Sequence, residues 1–350
     1  MIFKRLHEVL VLCDWQSDLK GVYMINLASS ADKNFLPYTY VMLFSMLQQH
    51  HEEAIRFFLL HDGLNGKDLQ PFHDLCSNSG NQFVSLVINA GEFVNFQKIS
   101  TSKYWPLSAY FRLRLMENLP ADVDRILYLD GDIIVNNNLL VFYYMDMGDN
   151  LIAACSDMTS LETSSMERRL SSWMEPFLSL LRNERYFNSG VMLYDVERYR
   201  KKYHENPYFR LFPKYAEQIL CPDQDLLNLA HQDETLLLDP MEYNCMPYVA
   251  YRVAGKSYTE IKSEAKILHF AGRKPWESGN HIHYPAEKIW WETAFETIYS
   301  DELQMAFLES SLSDKRLEEE VRELYQKNSE LKEGLAGIKS SLEKIMGTVY

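Results

Sequence analysis

Residues 126–135 read ILYLDGDIIV, a run that few folds can accommodate. Four apolar-rich residues (Ile126, Leu127, Tyr128, Leu129) lead into two aspartates separated by Gly131, and three β-branched residues (Ile133, Ile134, Val135) follow. This is the make-up of a buried strand that carries Asp130 and Asp132 to its end. In an extended segment residues i and i+2 point the same way, so both carboxylates are expected to face one spot. Two carboxylates there repel unless a cation sits between them. A hard divalent ion, Mg²⁺ or Mn²⁺, with open positions for phosphate oxygens meets that need. A polar turn after a core strand is the plainer account, since Asp and Gly are common turn residues.

Strands alternate with helices on the N-terminal side of this run. VYMINL (22–27) reads as a first strand, ASSADKN (28–34) as a loop, and 35–50 as a helix. A second strand at 55–60, a helix at 64–78, a third strand at 83–88 and a helix from Ser108 to Asn118 follow. The pattern predicts an α/β fold, with a mostly parallel Rossmann-like sheet flanked by helices. Ligands in such sheets bind beyond the carboxyl ends of the strands, where Ala28–Asn34 and Asp130–Asp132 would both lie. Residues 156–185 are polar and read as a helical insertion near the site, and 187–196 return to strand character. The domain division read from this is an amphipathic N-terminal extension over 1–20, a main domain over 21–298 and a helical tail over 299–350.

The tail is charged, lacks proline and carries apolar residues at a 4–3 rhythm. Val321, Asn328, Leu335 and Leu342 fall at heptad a positions, and Leu317, Leu324, Leu331, Ile338 and Ile345 at d positions. This spacing predicts a coiled coil over about 315–346, and one Asn at an a position favours a parallel in-register homodimer. Gly334 and Gly337 each weaken the helix by about 1 kcal/mol relative to Ala. A single amphipathic helix docked on the domain is the alternative.

Composition narrows the partners. With 350 residues, 47% of them hydrophobic, the chain can bury a large core. Its formal net charge of −14 leaves no basic surplus for nucleic acid or anionic membrane. Five scattered cysteines without CxxC spacing argue against zinc and against a disulfide framework, and suit a reducing cytoplasm. The most apolar stretch, residues 35–47, is too short and too polar to span a membrane. The expected location is cytoplasmic, with any peripheral association at the inner face of the membrane made through the acceptor or partners.

Four further patches accompany the aspartates: ASSADKN (28–34), FNSGV (187–191), PDQDLLN (222–228) and LHFAGRKPW (268–276). Each alone could be a turn, a helix cap or a core histidine. Together and in this order they resemble glycosyltransferase family 8, the retaining, GT-A-fold enzymes that use nucleotide-diphospho-sugars. The resemblance runs from about residue 22 to 295. It is nearest to the bacterial lipopolysaccharide galactosyl- and glucosyltransferases, with glycogenin and galactinol synthase more distant. It implies a hexosyltransferase moving glucose or galactose from UDP-glucose or UDP-galactose to a glycan acceptor on a lipid, a cell-wall polymer or a glycoprotein.

Carried over residue by residue, the resemblance makes Asp130 and Asp132 the DxD metal pair and His269 the third ligand. An imidazole beside carboxylates suits Mn²⁺ better than Mg²⁺. Ser30, Asp32 and Asn34 match the nucleoside loop, with Lys33 where the family has a second acidic residue. Arg112 and Gly131 match donor-holding positions, and Asn188, Asp223 and Gln224 match residues that line the sugar. Gly272 and Lys274 match diphosphate contacts; the spacer is one residue short, so Arg273 shares or takes the lysine's role. Gln224, Asp223 and Asp225 are the candidate catalytic residues. Same-face attack, with the diphosphate as base, is the expected route to retention.

Three other readings compete. A haloacid-dehalogenase-type phosphatase would continue DxDGT, but Ile133 follows Asp132. A catalytically inactive scaffold that recruits a partner through its coiled coil is opposed by usable side chains at every metal and donor position. A glycogenin-like dimer that glycosylates itself has tyrosines available, Tyr325 and Tyr350 among them, but carries DQD where glycogenin-like members have DQG.

Overall fold

A computed structural model describes residues 24–99, 106–158, 177–182, 185–272, 274–277, 285–311 and eight tail positions between 326 and 338. The expected N-terminal extension, most of the 156–185 insertion, Arg273 and most of the coiled-coil segment lie outside the described residues.

Apart from the third, a largely exposed edge strand, the apolar stretches become strands buried on both faces, which is why they read as near-continuous hydrophobic runs. β1 (Met24–Ser30), β2 (Ala54–His61) and β3 (Gln82–Val87) pair in parallel, with Ile25 opposite Ile55 and Phe57 opposite Phe83. Parallel neighbours need crossovers, and α1 (Leu36–Gln49) and α2 (Gly66–Asn78) supply them. β4 (Arg125–Leu129) lies on the other flank of β1 and parallel to it. A separate two-stranded ribbon joins β5 (Ile133–Val135) to β9 (Ile267–His269) in antiparallel pairing. β6 (Ile152–Ser156), β7 (Phe187–Asp195) and β8 (Thr235–Leu238) complete a seven-stranded sheet of order β3-β2-β1-β4-β7-β6-β8. Four of its six pairings are parallel, as expected; β7 runs against both of its neighbours, β4 and β6.

Side chains alternate across the sheet into two cores. Ile25, Leu27, Phe57, Leu127 and Leu129 meet Met42, Met46 and Phe72 on one face. Ala28, Phe58, Ile126 and Tyr128 meet Tyr110, Phe111 and Phe212 on the other. Helices α3 (Pro207–Tyr215) and α4 (Pro222–His231) belong to the second layer. Helices α5 (Pro247–Arg252), α6 (Glu287–Ala294) and α7 (Ser300–Ser311) follow. A third cluster around Trp290 and Trp291 closes the C-terminal side.

Two expected elements differ. The helix from Ser108 to Asn118 is a 3₁₀ helix over Leu107–Arg114 that becomes α-helical only over Leu115–Asn118. The strand that carries Asp130 and Asp132 to its end is β4, but the extended geometry expected across the two aspartates does not hold. β4 stops at Leu129, the Asp130 N–H still bonds the Gly190 carbonyl at 2.9 Å, and the chain then turns at Gly131 into β5. A Cβ at Gly131 would collide with the Thr39 hydroxyl and press Phe35 at 3.0 Å, so the turn passes too close to α1 for a side chain. The two aspartates therefore converge through a turn between two sheets, not through the i, i+2 geometry of one strand.

Order reverses between β1 and β4, since the chain runs outward from β1 through β2 to β3 and then returns to β4. Ligands of open α/β sheets gather at such a point. The ends of β1, β4 and β6 and the beginning of antiparallel β7 all open onto this edge.

Candidate active site

The sheet places the expected residues on one rim, and register decides which of them meet. Ile133 pairs with His269 across the β5–β9 ribbon, and Phe270 N–H bonds the Asp132 carbonyl at 3.0 Å. His269 Nε2 therefore lies 3.3 Å from Asp132 Oδ1 and 4.0 Å from Asp130 Oδ2. One ligand atom from each of Asp130, Asp132 and His269 falls within 4.8 Å of the others. Asp132 Oδ1 is buried and finds no hydrogen-bond partner among the described residues. A buried carboxylate oxygen in that condition is costly unless a cation completes it. Two carboxylates and an imidazole also form a donor set that a divalent cation accepts, and a Cβ at Gly190 would collide with His269 Cε1 and press Asp130 Oδ2 at 2.9 Å. The residues present fit a divalent cation.

Lys274 reaches the same carboxylate. Its ammonium pairs with Asp132 Oδ2 and donates to the Phe270 carbonyl at 3.0 Å. Burial by itself would push the Asp132 carboxyl up, but the Lys274 and His269 charges outweigh it and hold it well below the usual carboxylate range. Gly272 has φ +80°, the left-handed region that favours glycine, so the chain can double back between His269 and Lys274. Trp276 stacks on Tyr38 at 4.0 Å between centroids and leans on Trp290, anchoring the far end of this turn.

Arg112 organises the opposite wall. It is 7% exposed, donates to Asp130 Oδ1 at 2.6 Å and to the Ser189 carbonyl at 2.7 Å, and pairs with Asp223 Oδ2 at 3.0 Å. Its guanidinium lies over the Tyr128 ring at 4.5 Å. Burial favours loss of its proton, but Asp130, Tyr128 and Asp223 hold the charge more firmly than on an ordinary arginine. Burial pushes the Asp223 carboxyl up, and Arg112 pulls it back.

The sugar-side residues form an amide cluster. Gln224 Oε1 accepts from the Ser189 N–H at 3.0 Å and from Asn188 Nδ2 at 3.2 Å, while Gln224 Nε2 donates to Asp157 Oδ2 at 2.8 Å. Asn228, the last residue of the PDQDLLN patch, accepts from the Phe187 N–H and donates to its carbonyl, both at 2.8 Å. The second and third patches are thus one unit, α4 clasped to β7.

Asp225 does not join them. It is fully buried, and its carboxylate accepts from the Tyr186 hydroxyl at 2.5 Å and from Leu220 and Cys221 N–H at 2.6 and 2.9 Å. On helix α4 it points away from the face that Asp223 and Gln224 present, because neighbours on a helix are about 100° apart. This carboxylate holds the loop before α4, and nothing places it at the cleft. At the first rim, Ala28–Ser30 belong to β1 and not to a loop. Ser30 Oγ lies 2.7 Å from the Tyr128 hydroxyl, Asp32 Oδ1 caps the Asn34 and Phe35 N–H groups, and Asn34 is exposed.

Asp157 and Asn244 were missed in the sequence. Asp157 ends an apolar run, IAACSD, the signal that marks Asp130. Asn244, in YNCMP, carries no such signal.

Solved structures share this architecture. A crystal structure of the galactosyltransferase LgtC in complex with donor and acceptor sugar analogs superposes with a TM-score of 0.65 at 22% identity, covering 78% of this chain and 96% of that one. The fold is of the GT-A type. In sequence, the profile of glycosyl transferase family 8 matches residues 26–279. A lipopolysaccharide 1,2-glucosyltransferase of Escherichia coli is 26% identical over 258 residues, 72% of this chain and 73% of the relative. A lipopolysaccharide 1,3-galactosyltransferase of Salmonella typhimurium is 26% identical over 256 residues, again 72% and 73%. The chain belongs to glycosyl transferase family 8. It is a hexosyltransferase, with a nucleotide-sugar donor, a glycan acceptor and a site that fits a divalent cation.

Proposed function

We propose that the chain is a retaining, Mn²⁺-dependent transferase that moves glucose or galactose from its UDP-sugar to a glycan on a lipid or cell-surface polymer. The observation that carries this reading is the buried Asp132 Oδ1 facing His269 Nε2 beside Asp130, without a hydrogen-bond partner among the described residues. Asp130, Asp132 and His269 would hold the cation, with Mg²⁺ as the alternative to Mn²⁺. When bound it supplies positive charge against the leaving diphosphate.

The protein's own groups do the rest. Arg112 pairs with both Asp130 and Asp223 and sets its positive charge between the two carboxylates. Lys274, beside Gly272 and with Arg273 next to it, is placed to exchange its bond to Asp132 for one to the diphosphate as charge develops there. Asn188, Gln224 and Asp223 present amide and carboxylate oxygens to the sugar, and Ser30, Asp32, Asn34 and Gly131 border the nucleoside. The bond from the anomeric carbon to the diphosphate oxygen breaks, and the acceptor oxygen bonds that carbon on the same face. The acceptor's proton passes to the departing diphosphate oxygen. Same-face attack is supported by the candidate nucleophiles being committed: Asp225 to three donors, Asp223 to Arg112, and the Gln224 oxygen to Ser189 and Asn188.

The test is nucleotide release from a panel of nucleotide-sugars, with and without Mn²⁺, using wild type and Asp132→Asn. UDP release from one hexose donor, requiring Mn²⁺ and lost in the variant at unchanged melting temperature, is the expected result. Release that persists in Asp132→Asn removes the site assignment.

Pairing of the tail is part of the same proposal. Leu331, Leu335 and Ile338 are 66%, 65% and 59% exposed in the single chain, which favours a seam awaiting a second copy over a helix docked on the domain. Val321, Leu324, Leu342 and Ile345 of the same register lie outside the described residues. Deleting residues 315–350 is expected to halve the mass seen by light scattering; an unchanged mass rules the pairing out.

A further inference from the structure

Behind the cation-facing atoms runs a buried relay of amides. The Gly190 N–H can only donate, and it donates to Asn188 Oδ1 at 2.9 Å, which settles the orientation of the Asn188 amide. The same oxygen accepts from Asn244 Nδ2 at 3.0 Å. Asn244 therefore turns its own Oδ1 toward His269, 2.8 Å from Nδ1. An amide oxygen only accepts, so the imidazole must carry a proton on Nδ1. In the neutral ring this leaves the Nε2 lone pair toward Asp132 and Asp130, at 3.3 and 4.0 Å. Asn188, Asn244 and His269 are 7%, 1% and 3% exposed, so water cannot readily substitute for any link. The backbone holds Asn244 in place on both sides. Its N–H bonds the Pro240 carbonyl at 3.1 Å, and Cys245 next to it bridges to Leu268 on β9.

We propose that Asn244 is a positioning residue for sugar transfer: through the Asn188–Asn244–His269 relay it fixes His269 as the Nδ1–H tautomer and presents Nε2 to the cation. The proposal rests on the metal reading of Asp130, Asp132 and His269 given above. A neutral imidazole ligates through the nitrogen that lacks hydrogen, and the group bonded to the other nitrogen decides which one that is. The opposite tautomer would aim an N–H at the cation and set its lone pair against the Asn244 oxygen. Asn188 also donates to Asp157 Oδ2 at 3.3 Å and to Gln224 Oε1 at 3.2 Å. One side chain therefore belongs to both the sugar pocket and the cation site, and a sugar that turns the Asn188 amide is felt at His269.

The experiment uses the full chain labelled with ¹⁵N-histidine, with the His269 signals identified by their loss in His269→Ala. Long-range ¹⁵N–¹H correlations with diamagnetic Mg²⁺ bound report the tautomer, and electron paramagnetic resonance titration reports Mn²⁺ binding without nucleotide or sugar. Wild type is expected to show the Nδ1–H tautomer. Asn244→Leu should lose that preference and bind Mn²⁺ about 10–100-fold more weakly, the usual effect of removing a partner behind a ligand. Asn244→Asp, whose carboxylate still accepts from Nδ1–H although it no longer donates to Asn188 Oδ1, should keep the tautomer and bind Mn²⁺ more tightly than Asn244→Leu; a purely structural role would move the two variants alike. An Nε2–H tautomer in wild type, or wild-type Mn²⁺ affinity in Asn244→Leu, overturns the proposal. If Asn244→Leu does not fold, wild type and Asn244→Asp decide it, since an Nε2–H tautomer in either overturns it. Absence of Mn²⁺ binding by wild type overturns the metal reading instead, while an Nδ1–H spectrum still supports the relay.

Discussion

The two rims of the cleft are held by different means. At Ser30–Asn34 the groups are uncharged or partly exposed, and local caps share the work with single long-range bonds. Asp32 Oδ1 caps N–H groups two and three residues ahead, at 2.9 and 3.2 Å, Asp32 Oδ2 accepts from the Ser108 hydroxyl at 3.1 Å, and Ser30 Oγ lies 2.7 Å from the Tyr128 hydroxyl. At the cation-facing rim the groups are charged and buried, and their partners are far along the chain. Arg112 meets Asp130 at a separation of 18 residues and the Ser189 carbonyl at 77, and Lys274 meets Asp132 at 142. A local cap can be lost with little effect elsewhere. A buried set of mutually paired charges fails as a unit, because each removal strands another charge.

That contrast is most exposed to disproof at Arg112. Arg112→Leu leaves buried Asp223 and part-exposed Asp130 without their shared cation, and breaking a buried pair costs about 3–5 kcal/mol. Chemical denaturation should show a loss of that order together with loss of turnover; a drop under about 1 kcal/mol would mean the rim is wetter and looser than its burial indicates. Gly190→Ala comes next, since the added methyl collides with the His269 ring. It should weaken Mn²⁺ binding about 10–100-fold, the range for disturbing a ligand's support, with little change in melting temperature. Binding at wild-type strength would show that the ring can move aside.

Asp225 sharpens the comparison through pH. Burial pushes its carboxyl up to about 7, above the 3.8 of a free aspartate. A carboxyl raised on folding contributes stability that is fully present below the unfolded value and lost as pH rises through the folded one. Wild type should therefore lose stability from about pH 4 to 7 relative to Asp225→Asn, whose amide can still accept from Leu220 and Cys221 N–H and donate to the Tyr186 oxygen. Parallel stability curves for the two proteins over that window would contradict this. The smallest effect belongs to the first rim. Asp32→Ala removes one cap and should cost about 1 kcal/mol, measured by denaturation, with Mn²⁺ binding untouched. An effect on Mn²⁺ binding would erase the distinction between the rims.

Much of this was legible in the chain. Apolar-rich runs marked β1, β2, β4 and β7 because strands covered on both faces favour apolar residues at most positions. Asp130 and Asp132 stood out because two carboxylates so close at the end of an apolar run invite a cation, and His269 joined them only through the family resemblance. Asp225 misled for a related reason: it sits in the same short patch as Asp223 and Gln224, and sequence adjacency does not reveal which way a helical side chain turns. The i, i+2 convergence expected of Asp130 and Asp132 failed because β-branched residues after Gly131 suit any strand, and only the β5–β9 register shows which partner they chose.

Alternating apolar runs determined the α/β class, and the order of the motifs carried the family resemblance and, through it, the expected grouping of Asp130, Asp132 and His269, because each depends on residue types at fixed spacing. The tertiary structure alone decided that Arg112 is committed to two carboxylates, that Asp225 serves the loop before α4, and that Asn244 stands behind His269. Those facts are pairings between distant segments, and a hydrogen bond's direction is a property of which groups packing brings within about 3 Å, which no local pattern of residues encodes.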